Sequence, residues 1–188
     1  MKQVTIEVPE GKTTEWRKVD GLMTLVMIDE QKQDTRPVTE RIKTVEDALR
    51  ALGTPEEEIQ GFFKKFEIFG KDVVAYMKLR VIAEALNEGW KPKFTTDEYR
   101  YYPWFYLYTK EEIENKDEDK RKELWLFGGH SLDGSACGLA FAYSSYAWSY
   151  SNSHFSARLA VKTNELAVYF GKQFIDIWAD YVTMTSEE

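Results

Sequence analysis

The stretch "AYSSYAWSYSNSHFSARL", residues 142–159, decides how the second half of this chain is read. Between Tyr143 and Ser156 it holds six serines, three tyrosines, one tryptophan and one phenylalanine, and no charged residue. The chain as a whole is 30% charged, so the gap in charge is local. A flexible linker would be serine-rich but would not carry five phenyl, phenol or indole rings in fourteen residues. A buried strand would use Val, Ile and Leu, which are absent here. Tyrosine offers rigid amphipathic area at low entropic cost, and serine and asparagine add adaptable hydrogen bonds. The composition is therefore that of a contact surface. Its expected binding residues are Tyr143, Ser145, Tyr146, Tyr150, Asn152, His154 and Phe155, with Trp148 and Arg158 holding the frame.

On either side the pattern changes to alternation. "GLAFAY" places Leu139, Phe141 and Tyr143 on one side, and "ARLAVK" places Ala157, Leu159 and Val161 on one side. Both predict strands that would display the stretch between them. Upstream, "RYYPWFYLY" (100–108) predicts an aromatic strand with Trp104 and Phe105 in the core, and "LWLF" a short strand. The run "KEEIENKDEDKRKE" between them is a solvated helix or a surface excursion. "GGHSLDGSACG" is a glycine-rich loop.

Four helical patterns stand out. "TVEDALRAL" opens on Thr44 and Asp47, a capping-box pair. "TPEEEIQGFFKKF" suggests a single helix with Thr54 as N-cap, Pro55 in the first position and Glu57 completing the box; Ile59, Phe62, Phe63 and Phe66 form its core stripe. A helix from about Lys71 to Glu88 buries Val74, Met77, Val81, Ala85 and Leu86 and stops at Gly89. "TNELAVYFGKQFIDIWADYV" predicts one long helix with Leu166, Phe170, Phe174, Ile177, Trp178 and Tyr181 inward. At the other end, "QVTIEV" alternates and Leu22 to Ile28 follows a "VDG" turn. Residues 1–40 read as a β-hairpin appendage and linker, and 41–188 as a helical plus lectin-like ligand-binding domain.

With 188 residues and a net charge of −7, the chain can own a core, and it has no Lys/Arg cluster of the kind phosphate neutralisation needs. Nucleic acid is therefore not an expected partner. The longest apolar run, "GLMTLVMI", is too short to span a bilayer, and the first residues carry no secretory apolar region. Membrane insertion is not expected, and a phage virion or a bacterial cytoplasm is the expected location. One cysteine, Cys137, excludes an internal disulfide; it reads as a small buried hydrophobe. His130 and His154 are the only histidines and fit no metal or triad spacing, so no metal, no cofactor and no catalytic set is expected.

Two helices, a glycine-punctuated loop and "CGLAFAYSSYAWSYSNSHFSARLA" together resemble the C-type-lectin-fold variable proteins of diversity-generating retroelements, found in phage tails and on bacterial surfaces. Similar segments occur in proteins of the Fibrobacter-type paralogous domain and in gut Bacteroidetes and their phages. The resemblance spans about residues 44–162, and its specific part is about 25 residues, including the pair Ala157-Arg158. It implies an α+β, C-type-lectin-like domain and a non-enzymatic receptor for a bacterial surface protein or glycan. In such proteins varied codons end in C and cannot encode Trp, which makes Trp148 scaffold. The helix after the stretch departs from the family, whose variable region lies near the C-terminus.

The alternative readings are a cytoplasmic phage- or bacterium-encoded binder of a small molecule or protein, using a pocket from "RYYPWFYLY" and Gly128–Gly138, and an enzyme using His130 and Asp133. A structural role also follows from the N-terminal strands, which suit pairing with a second copy in a homo-oligomer.

Overall fold

The computed structural model describes residues 5–19, 21–29, 34–93, 98–122, 125–126, 138–148 and 157–183, with the backbone alone for 28–29, 125–126, 138–148 and 157. The chain divides into two units, Met1–Arg36 and Pro37–Glu188.

The first unit is a hairpin of β1 (Lys12–Val19) and β2 (Leu22–Asp29), antiparallel from Lys12 opposite Asp29 to Val19 opposite Leu22. This corrects the expected first strand. Val4 lies outside the described residues, and Thr5–Val8, including Ile6 and Val8, forms no strand. A two-residue connection forces the residues immediately before it to pair with those immediately after, so "KTTEWRKV" becomes the partner of Leu22–Asp29. Gly21, at φ +85°, supplies the left-handed backbone that this connection needs.

The second unit is α+β, as expected from the sequence. It opens with α1 (Val38–Arg41) and α2 (Val45–Ala51). The capping box of α2 forms as predicted: Asp47 N–H donates to Thr44 Oγ1 at 3.1 Å, and Thr44 N–H donates to Asp47 Oδ2 at 3.0 Å. The next segment does not form one helix. It gives α3 (Glu56–Ile59), a turn, and a 3-10 segment Lys64–Phe69. Pro55 stands at the N-cap without a side-chain bond, and Thr54 N–H instead closes the end of α2 on Leu49 O. The break is a turn at Gln60 (φ −72°, ψ 113°) and Gly61 (φ +89°), closed by Phe62 N–H on Ile59 O at 3.2 Å. Ile59 and Phe63 still bury together with Leu49 and Val74, with Phe62 and Phe66 against them, so the predicted stripe packs without a continuous helix.

α4 (Lys71–Asn87) is the long helix expected. Leu79, Ile82, Ala83 and Leu86 join the main core, whereas Met77 and Val81 are only partly buried. α4 packs against α2 and α8 (Ile175–Val182). The C-terminal segment is also two helices, α7 (Asn164–Gln173) and α8, separated at Phe174 (φ −118°, ψ 33°). Each i, i+4 step on a straight helix rotates about 40° beyond a full turn, so a long i+4 stripe drifts off its core. The break lets Phe170, Phe174 and Trp178 all bury in one cluster, with ring centroids 6.1 Å apart for Phe170 and Phe174 and 5.0 Å for Phe170 and Trp178.

The sheet has three antiparallel strands in the order β3 (Tyr99–Tyr108), β5 (Gly138–Trp148), β4 (Trp125–Leu126). The charged run before β4 forms two short exposed helices, α5 (Lys110–Glu114) and α6 (Glu118–Lys122). α7 lies against β3 and β5, and Tyr101 and Phe105 of β3 reach the helical core, Phe105 with its ring 5.2 Å from that of Trp178. The register shifts between Trp104, opposite Tyr143, and Phe105, opposite Phe141, leaving Ala142 as a bulge residue.

Two further expectations are corrected by this sheet. The serine-aromatic stretch, expected to be displayed between two strands, is itself strand in its first part: Tyr143–Trp148 continues the strand begun at Gly138 and pairs with Tyr99–Trp104. "ARLAVK" does not form an alternating strand. Ala157–Leu159 is a 3-10 turn, and Leu159, Ala160 and Val161 are all buried. The reason is that this segment is held on both sides. Val161 and Tyr101 exchange backbone hydrogen bonds, at 2.9 and 3.2 Å. On the opposite side Asn87, 6% exposed, donates from Nδ2 to Ala160 O at 2.9 Å and accepts at Oδ1 from Lys162 N–H at 3.0 Å. One amide side chain thus serves 160–162 as a neighbouring strand would.

Candidate ligand-binding cleft

An open cleft of about 500 Å³ lies where α4 ends. α4 turns Leu79, Ile82 and Leu86 inward, which leaves Arg80 and Glu84, one turn apart, on its exposed side. The helix stops at Glu88 (φ 49°) and Gly89 (φ 85°), both left-handed, and Trp90 N–H donates to Asn87 O at 2.9 Å. The reversal places Trp90, Lys91 and Pro92 along the cleft, with Trp90 and Pro92 half-buried. Arg158 and Ala160 also line the cleft, and the Asn87 bonds hold Ala160 and Lys162 to the end of α4.

Three cations among the described residues, Arg80, Lys91 and Arg158, line the cleft with one carboxylate, Glu84. Among the described residues, Arg80 and Lys91 enter no ion pair within 4 Å. Arg80 precedes Glu84, the weaker of the two orders for an i, i+4 pair. Glu88, by contrast, is engaged. It accepts from Lys162 Nζ at 3.0 Å and is paired with Arg41, and these two cations, Lys162 first, hold its carboxyl below the usual glutamate range. Glu88 thus fastens the left-handed end of α4 to α1 and to the segment beyond Arg158. The described lining of the cleft is net positive in a chain of net charge −7.

Of the residues expected to bind, Tyr143, Ser145 and Tyr146 lie on β5 and Trp148 at its end. Register assigns them to two faces. Tyr146 is opposite Tyr101, on the face that meets the helical core; Tyr143 and Ser145 are opposite Trp104 and Tyr102, on the other face. Residues alternate with period two along a strand, so no single sheet face carries all three. Tyr150, Asn152, His154 and Phe155 lie outside the described residues, as do His130, Asp133, Cys137 and the glycine loop from Gly128 up to Gly138, where β5 begins. Arg158, expected to hold the frame, is exposed at the cleft. In "RYYPWFYLY" the buried residues are Arg100, Tyr102 and Pro103, while Trp104 and Phe105, expected in the core, are half-buried. Arg100 and Tyr102 are 7% and 2% exposed. They occupy the sheet face opposite Tyr101, shared by register with Tyr143 and Ser145.

Sequence reasoning did not single out Arg80, Lys91 or Trp90. Arg80 looks like any solvated helix residue, and the available signal was a tryptophan between the stop at Gly89 and Pro92.

The chain matches no known protein family, no curated protein and no solved structure. Among the described residues no helix is long and apolar enough to cross a membrane. No group of three or more His, Cys, Asp or Glu among them is placed to hold a metal ion.

Proposed function

We propose that this chain is a non-enzymatic ligand-binding protein, with a protein or glycan of a bacterial surface as its ligand. The observation that carries the reading is the open cleft whose described lining is net positive and includes Trp90 and Arg158. Arg158 lies two residues beyond the serine-aromatic stretch 143–156, whose first part, Tyr143–Trp148, belongs to β5 and pairs with Tyr99–Trp104 of β3. The described residues before and after 149–156 thus belong to the sheet and to the cleft. The lectin-like and retroelement-diversified reading, and with it a phage virion or bacterial location, rests on the residues of 138–160 and supplies the class of ligand. Binding of purified full-length protein to arrayed bacterial surface glycans and to outer-membrane protein extracts tests it. Binding that weakens at least tenfold in Tyr143→Ala/Tyr150→Ala protein of unchanged circular dichroism supports the reading. A chain that retains nothing from either array refutes it. Sequencing the flanking DNA tests diversification separately: a near-copy of codons 139–161, differing at adenines and lying beside a reverse transcriptase gene, is the expected finding.

The volume of the cleft favours a second reading, a binder of a small molecule, since about 300–1,000 Å³ is the usual size of such pockets. A small molecule retained in native mass spectrometry of the freshly purified chain would establish it.

A further inference from the structure

We infer that the cleft at the end of α4 takes an acidic sugar, a single carboxylate-bearing ring within a glycan. The inference rests on the binding reading above and names its ligand. Three kinds of group line the cleft, and each selects one property. Arg80 and Lys91 supply cationic donors for a carboxylate, and Arg can grip it with two parallel N–H donors. Trp90, half-buried beside Pro92, presents a flat apolar wall on which the C–H face of a sugar ring can lie while the ring's polar edge stays wet. Glu84 offers acceptor oxygens, and a ring that donates from several hydroxyls satisfies them.

The same groups exclude the neighbouring ligand classes. A neutral sugar would draw no charge-assisted bond from Arg80 and Lys91, which have no ion pair among the described residues. A polyphosphate or a nucleic-acid strand would bring dense negative charge against Glu84, in a chain whose net charge is −7. The volume, about 500 Å³ in an open cleft, suits one or two rings of a longer chain that continues into solvent.

The test is titration calorimetry of the full-length protein with tri-galacturonate, with a neutral galactose trimer and inorganic phosphate as comparison probes. Tri-galacturonate should bind at least tenfold more tightly than the neutral trimer. Arg80→Ala/Lys91→Ala should weaken it at least tenfold, and raising the salt from about 50 to about 500 mM should weaken it further. Arg80 and Lys91 are exposed, so this variant should keep its fold, checked by circular dichroism. Trp90→Ala should weaken binding of tri-galacturonate and leave any weak phosphate binding unchanged. Equal affinity for the two trimers, or an unaltered affinity in the Arg80→Ala/Lys91→Ala protein, overturns the inference. A protein that binds surface glycans in the array and ignores tri-galacturonate refutes the acidic sugar alone; one that binds nothing in either assay refutes the binding reading with it.

Discussion

Replacing Asn87 with alanine should loosen both the core and the cleft. Asn87 is the side chain that ties the end of α4 to residues 160–162, through Ala160 O at 2.9 Å and Lys162 N–H at 3.0 Å. Ala160 is buried and Lys162 half-buried, so truncation leaves a carbonyl and an N–H with little access to water. An unsatisfied buried polar group costs about 1–3 kcal/mol, and partial wetting at Lys162 favours the lower half, giving about 2–4 kcal/mol for the pair. For a unit of about 150 residues, each kcal/mol moves Tm by about 2–4 °C, so Asn87→Ala should lower Tm by about 4–16 °C. Thermal unfolding followed by far-ultraviolet circular dichroism measures this. Amide hydrogen exchange adds a local readout: the Lys162 amide should lose protection before the middle of α4 does. A Tm within about 2 °C of the parent protein, with Lys162 still protected, would refute the assignment of Asn87 as the clamp of this segment.

Glu88 gives a pH dependence. Its carboxyl is held below the usual range by Lys162 and Arg41, so its contribution is complete above the ordinary glutamate range and is lost as pH falls through the lowered value. Urea unfolding of the parent and of Glu88→Gln should therefore differ at pH 7 and converge in acid; a constant difference between pH 7 and pH 3 would contradict this. Gly61→Ala should destabilise by about 1 kcal/mol from backbone conformation alone, because φ is +89° and no atom lies within 4 Å of the added Cβ; denaturant midpoints measure it. Thr44→Ala removes one half of the α2 capping box and should cost about 1 kcal/mol in the same assay, with Thr44→Ser nearly neutral.

Several elements were legible because their causes are local. The Thr44–Asp47 box lies within four residues, the 71–87 helix carries its own apolar face and glycine stop, and "RYYPWFYLY" is long and aromatic enough to be a strand in almost any setting. The breaks at Gly61 and Phe174 were not legible, since in both places the apolar spacing runs through the break unchanged. The position of β1 was hidden by its charges. Glu15, Arg17 and Lys18 mask a strand that is chosen by its partner across the turn.

The amino-acid sequence by itself determined an α+β chain, its main helices and its aromatic strand, and the uncharged serine-aromatic composition of 143–156, because periodicity, caps and composition act over a few residues. Tertiary structure alone decided that Tyr143–Trp148 belongs to the middle strand of the sheet, with Tyr146 on one face and Tyr143 and Ser145 on the other. It also decided that Arg80, Trp90, Lys91 and Arg158 line one cleft. Strand register depends on a partner some forty residues away, and the cleft on an amide at position 87 reaching a carbonyl at position 160, contacts that no local pattern encodes.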